Sequence, residues 1–158
     1  MNLLLLPGPR VPALDLNNPG SAVRAKSMPL AQAWSPLQCD GHFVGYTRED
    51  KSECPRLLKK DRDWAMSQGI ALEWLAYDID NPGHAQWENP DHAESALWAM
   101  LDQLPKSLEA YAGAYTTRAG LRLVFHLGTR VPLNFANALL RDVAVLLEDV
   151  GIQVDRSC

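Results

Sequence analysis

The chain has 158 residues, of which 47% are hydrophobic and 22% charged, a balance that excludes a disordered or fibrous segment and fits one globular domain with its own core. A net charge of −4 advertises neither a nucleic-acid nor a membrane partner for the surface as a whole. The charge is uneven: residues 1–64 carry nine Lys/Arg against seven Asp/Glu and residues 65–158 six against twelve, so the amino-terminal part is the better place for phosphate contacts.

The opening MNLLLLPGPR has four leucines before a Pro-Gly break and no basic residue ahead of them. That is too short for a secretory signal or a membrane span, so a cytoplasmic protein without a membrane partner is expected. From 7 to 36, Pro7, Pro9, Pro12, Pro19, Pro29 and Pro36 with Gly8 and Gly20 forbid long helices and predict short strands joined by turns. Cys39, Cys54 and Cys158 are read as reduced thiols. Cys39, His42 and Cys54 have the side chains of zinc ligands, but no paired C-x-x-C supplies a clear fourth, and zinc binding there stays open. HFVGY at 42–46 reads as a strand. PRLLKKDRDWAMSQG at 55–69 reads as a helix with proline near its first turn and Gly69 as its stop.

The second half is clearer. IALEWLAYDI at 70–79 is rich in strand formers, and alternation puts Leu72, Trp74, Ala76, Asp78 and Asp80 on one face, with Glu73, Leu75, Tyr77 and Ile79 on the other. DHAESALWAMLDQL at 91–104 opens with a capping-box pattern, Asp91 and Glu94. Its apolar residues Ala93, Ala96, Leu97, Met100, Leu101 and Leu104 form one stripe, Trp98 is expected to pack at its margin, and Pro105 ends the helix. AYAGAYTT at 110–117 and LRLVFHL at 121–127 form a hairpin through Arg118-Ala119-Gly120. NFANALLRDVAVLLEDV at 134–150 carries a second stripe, Gly151 caps it, and IQVD at 152–155 begins another strand.

The order β-α-β-β-α-β is the split βαβ, ferredoxin-like motif, an antiparallel sheet with both helices on one face. The expected fold class is therefore α+β, with this core over residues 70–158 and an irregular α/β extension over 1–69. Its usual strand order sets the last strand antiparallel beside the first, which brings Asp155 to Asp78 and Asp80. Three clustered carboxylates repel one another unless one is protonated or a cation neutralises them. Magnesium or manganese is the natural partner, and two such ions suit nucleotidyl transfer. An Asp-x-Asp before Asn-Pro-Gly is also an ordinary polar strand end entering a turn. Basic residues on the neighbouring hairpin favour the chemical reading. Arg122, Val124 and His126 share a face, while Thr116, Thr117, Arg118 and Gly120 surround the turn, a set suited to a triphosphate.

These residues resemble the archaeo-eukaryotic primase superfamily, the primase-polymerases of archaea, eukaryotes, phages and plasmids. The resemblance covers roughly residues 70–158 and is carried by YDID, TTRAGLR at 116–122 and GIQVD. It implies an RNA-recognition-motif sheet as a palm-like core, with metal binding by Asp78, Asp80 and Asp155. Arg122 stands where the family usually has histidine, so either arginine binds the phosphates or His126 takes over. KSMPLAQAW at 26–34 resembles the K-x-x-P-x-x-x-x-W segment of phage and plasmid members and implies a phosphate or template contact for Lys26. The implied partners are a single-stranded DNA template and primer and nucleoside triphosphates; family members continue with more sheet where this chain stops, so a single catalytic domain truncated at its carboxyl end is expected, a fragment of a larger replication protein with a helicase part downstream. A non-catalytic nucleic-acid module, with Trp74 or Tyr77 as stacking aromatics, is the competing reading. A rolling-circle nuclease would need two histidines one residue apart, which His42, His84, His92 and His126 do not provide. His84, His92 and Trp87 are read as inert loop residues.

Overall fold

The computed structural model describes residues 2–7, 26–29, 41–48 and 61–155. The elements run β1 (Asn2–Pro7), β2 (Lys26–Pro29), β3 (Gly41–Val44), β4 (Tyr46–Thr47), α1 (Arg62–Ser67), β5 (Ala71–Asp80), a 3-10 turn (Pro82–His84), α2 (Pro90–Leu101), α3 (Lys106–Glu109), β6 (Ala112–Thr117), β7 (Gly120–Pro132) and α4 (Leu133–Asp149). The protein is α+β, with a three-stranded sheet ordered β2-β1-β3 and a four-stranded antiparallel sheet ordered β4-β5-β7-β6. It divides into two compact units, Met1–Trp74 with Gly128–Ala136, and Leu75–Leu127 with Asn137–Cys158.

In the first unit the leucine run forms the central strand of the small sheet, pairing Leu3 with Met28 and Leu5 with Phe43. The strand expected at 42–46 is interrupted at Gly45. Its carbonyl accepts from both Glu73 N and Trp74 N at 2.8 Å. A Cβ at Gly45 would stand 2.5 Å from the Trp74 carbonyl oxygen, so only glycine allows this close approach. Two amides meeting one carbonyl is the pattern of a bulge, and the chain leaves β3 there and pairs as β4, Tyr46 with Leu72 and Thr47 with Ala71. The helix expected at 55–69 is seen as Arg62–Ser67, residues 55–60 lying outside the described residues. Gly69 follows at φ +66°, where an L side chain would be strained. Ala65, Ile70, Leu72, Trp74, Leu133 and Ala136 are buried. Two polar ties cross this unit. Thr47 Oγ1 donates to Glu73 Oε2 at 2.7 Å, and Arg130 Nη2 donates to the carbonyls of Thr47 and Gly69, each at 2.7 Å. The Arg130 anchor lies beyond Leu127, where the hairpin strand was expected to stop; β7 continues to Pro132.

In the second unit alternation works as expected. Tyr77 of β5 faces Phe125 of β7 edge-on, with ring centroids 6.1 Å apart, and its hydroxyl donates to the Leu140 carbonyl of α4 at 2.9 Å. Leu75, Leu121 and Leu123 are buried with them, as are Ala93 and Met100 of α2, and Val143, Ala144 and Leu147 of α4. Two local expectations are corrected. The cap of α2 is Asn89, whose side chain accepts from Asp91 N at 2.9 Å with Pro90 at the first helical position, in place of the Asp91 and Glu94 box. Trp98 does not pack at the helix margin but is 58% exposed, its Nε1 reaching Glu94 Oε1 at 3.4 Å. The helix expected to run to Leu104 and end at Pro105 stops at Leu101 with Asp102 as its C-cap, and Pro105 instead starts the short α3, which the apolar stripe did not announce. Gly151, at φ +90°, closes α4 as expected, with Ile152 N donating to Leu147 O at 2.9 Å.

The strand expected at 152–155 contracts to one residue. Asp155 forms an isolated antiparallel bridge with Asp78, its amide donating to the Asp78 carbonyl at 2.8 Å. No helix among the described residues is long and apolar enough to cross a membrane.

Candidate functional site

β5 delivers Asp78 and Asp80 to one face near its carboxyl end because successive residues alternate and Tyr77 takes the helix-covered side. The hairpin supplies the neighbours. Its register sets Tyr115 opposite Arg122, Thr116 opposite Leu121 and Thr117 opposite Gly120. Tyr115 and Arg122 therefore share a face, and Arg122 meets Asp78 from the adjoining strand. Nε of Arg122 donates to Oδ1 of Asp78 at 2.5 Å and Nη2 to Oδ2 at 2.7 Å, a two-point fork. The pair is half-buried, 24% and 20% exposed. With the bridge, Asp155, Asp78, Arg122 and Tyr115 stand in one row across the sheet.

The electrostatics of the row follow from burial and pairing. Burial alone would lower the Arg122 pKa, but its hydrogen bond to Asp78 and the charges around it outweigh that and hold it above the usual arginine value. The guanidinium stays charged throughout the accessible pH range. Burial raises the Tyr115 hydroxyl, with the Arg122 charge acting in the opposite direction, so Tyr115 stays protonated and polar at neutral pH. Tyr115 escaped notice in the sequence although it was legible there: pairing the hairpin about Arg118-Ala119 puts it across from Arg122.

The other expected site residues distribute as follows. Asp80 lies two residues beyond Asp78, its Oδ2 3.4 Å from Nδ1 of His84, which follows Gly83 with φ +54°. Thr117 lies on the Asp78 side, whereas Thr116 pairs with Leu121 on the opposite side, so the two threonines do not converge. Arg118 is exposed at the turn, where the Gln86 amide, its oxygen turned toward the guanidinium, accepts from Nη2 at 2.8 Å and Nε at 3.0 Å. Gly120 serves the sheet: a Cβ there would run into the Ile79 carbonyl oxygen and stand 2.9 Å from the Asp80 Cα. The close approach expected of it is made by β5. His126 shares the face of Arg122 four residues along β7, roughly 13 Å away at strand rise. Lys26 pairs with Leu5 in β2, and its side chain lies outside the described residues, as do Cys39, Cys54 and the side chain of His42.

Trp87 was read as inert, but its Nε1 donates to the carbonyls of Thr117 and Gly120, each at 3.1 Å, and Asn81 N donates to the Ala119 carbonyl at 2.8 Å. The loop after β5 thus clasps the hairpin turn, which fixes Arg118 and Arg122 relative to the two aspartates. A one-letter reading misses this because indole hydrogen bonds to turn carbonyls leave no periodic signal.

Comparison with known protein families, curated proteins and solved structures finds no match for this chain. The donor chemistry suits a hard divalent cation, since Asp78, Asp80 and Asp155 offer carboxylate oxygens on neighbouring positions. Yet among the described residues no group of three His, Cys, Asp or Glu side chains is close enough to hold a metal ion. The backbone brings Asp155 beside Asp78, while the carboxylate of Asp78 turns to Arg122.

Proposed function

We propose that the chain is a template-directed nucleotidyltransferase of the primase-polymerase kind, built on a ferredoxin-like, RNA-recognition-motif palm and working in the cytoplasm on a single-stranded DNA template and primer. The observation that carries this reading is the antiparallel bridge of Asp155 to Asp78, which joins two distant acidic segments at one sheet edge beside a cation on β7. The 3′-oxygen of the primer replaces pyrophosphate at the α-phosphorus of a nucleoside triphosphate, with the hydroxyl proton passing to solvent. Asp78, Asp80 and Asp155 would hold two magnesium or manganese ions, which supply activation of the 3′-hydroxyl and charge neutralisation on the leaving group. Arg122 and Arg118 offer planar forks to phosphate oxygens, and the Thr117 hydroxyl stands on the same side. The Trp87 clasp holds that hairpin in place.

A non-catalytic nucleic-acid module is favoured by one specific observation, the Arg122 fork that already satisfies Asp78. Primer extension on single-stranded DNA with magnesium or manganese separates the two readings. Incorporation that Asp78→Ala abolishes, with an unchanged circular-dichroism spectrum, is the expected result. Metal-independent DNA binding with no incorporation would overturn the enzymatic reading, and full activity in Asp78→Ala would overturn the site.

A further inference from the structure

Both oxygens of Asp78 accept from one guanidinium, and Tyr115 meets that guanidinium from the strand beyond. The fork that suits a carboxylate suits a phosphate equally well, because each presents two oxygens at matching spacing. A divalent ion at Asp78 and the guanidinium of Arg122 are two cations on one carboxylate whose two oxygens are both already engaged, so they repel one another and compete there.

We propose that Arg122 is a displaceable internal cation, which holds Asp78 in the nucleotide-free protein and exchanges that carboxylate for the triphosphate of an incoming nucleotide. Divalent-ion binding at Asp78 is then conditional on nucleotide. The inference rests on the nucleotidyltransferase reading of the same site. The Asp78 side chain is turned along the row toward β7, with Asp155 paired to it by backbone on the other side. The exchange leaves each anion with a cationic partner at each stage. Before binding, the arginine offsets Asp78; afterwards the metal does so and the arginine offsets phosphate. Arg122 is a positioning residue toward the metal and a binding residue toward the nucleotide, and its position two strands in from Asp155 lets a rotation of the side chain alone effect the switch.

The test is manganese binding in the absence of any reaction. Free manganese is titrated by electron paramagnetic resonance into the full chain and into Arg122→Gln, Arg122→Lys and Asp78→Asn, the last giving the baseline. Without nucleotide, Arg122→Gln is expected to bind manganese about tenfold more tightly than the unmodified chain, the scale of a lost charge-assisted pair. A non-hydrolysable nucleoside triphosphate should tighten the unmodified chain and leave Arg122→Gln nearly unmoved, once binding of manganese by the nucleotide alone is subtracted. Arg122→Lys keeps the charge without the fork and should fall between; it carries the test if near-ultraviolet circular dichroism shows Arg122→Gln to be misfolded. Equal, Asp78-dependent affinity in all arginine variants would overturn the exchange while leaving the metal site standing. No manganese binding in any protein, with or without nucleotide, would overturn both.

Discussion

Gly120 gives the sharpest test of how the sheet positions the site. A methyl group there would strike the Ile79 carbonyl oxygen, with the Asp80 Cα 2.9 Å and the Ile79 carbonyl carbon 3.1 Å away. All are backbone atoms of the neighbouring strand, so no side chain can turn aside and β7 must separate from β5. Overpacking usually costs about 1–3 kcal/mol, and with an unyielding neighbour Gly120→Ala belongs at the upper end, about 3 kcal/mol. At a urea slope of about 2 kcal/mol per molar this lowers the unfolding midpoint by about 1.5 M. Gly128→Ala is the control. Its φ is +68° with nothing within 4 Å of the added methyl, so it carries only the left-handed backbone penalty of about 1–2 kcal/mol. Urea unfolding followed by far-ultraviolet circular dichroism compares the two. A midpoint for Gly120→Ala at or above that of Gly128→Ala would refute the argument that backbone contact sets the strand spacing beside Asp78.

Tyr77→Phe removes the hydroxyl that donates to Leu140 O and should lower stability by about 0.5–1.5 kcal/mol, measured by the same urea titration. Burial raises the pKa of Tyr77 and of Tyr115 above the ordinary 10.0, so the unfolded chain ionises first. Their contribution is complete below pH 10.0 and is lost as pH climbs past it; Tyr77→Phe should flatten that decline, and an unchanged slope would count against the burial argument. Asp155→Asn removes a charge standing opposite the like charge of Asp78, and unfolding should show a gain of about 0.2–1 kcal/mol while primer extension is lost. A less stable, active variant would contradict both parts.

Much of the second unit was legible because its buried faces follow simple periods. Leu75 and Tyr77 on β5, Leu123 and Phe125 on β7, and Val143 and Leu147 on α4 are buried where alternation and the helical stripe put them, whereas Leu146 and Val150, apolar and on the expected stripe, are exposed and Ala144 is buried instead. The juxtaposition of Asp155 with Asp78 followed from strand order alone. What escaped were features set by contact between segments distant in sequence. Gly45 breaks a strand because of the Trp74 backbone, and β7 runs on to Pro132, past an Arg130 held by carbonyls from two other segments. The cap on α2 was misplaced by two residues because Asp91 also fits a capping pattern, and only Pro90 at the first helical position decides for Asn89. At the site, the residue types were readable but their partners were not. Arginine beside an Asp-x-Asp suits phosphate or carboxylate equally, and the fork to Asp78 emerges only when β5 and β7 adjoin.

The bridge between Asp78 and Asp155 is a poor choice on stability grounds. Residues opposite in an antiparallel pair have Cβ atoms about 4.5–5.5 Å apart, where like charges are destabilising. Threonine or arginine at position 155 would close the same backbone bridge without that repulsion. The single amide bond from Asp155 to Asp78 O contributes about 1 kcal/mol, comparable with that opposition. The Arg122 fork adds a cation on the next strand that offsets the charge of Asp78. Sequences depart from local stability rules most often where function requires it. An acidic pair beside a cation on the next strand is such a departure, and the nucleotidyltransferase we propose would account for it at the end of β5.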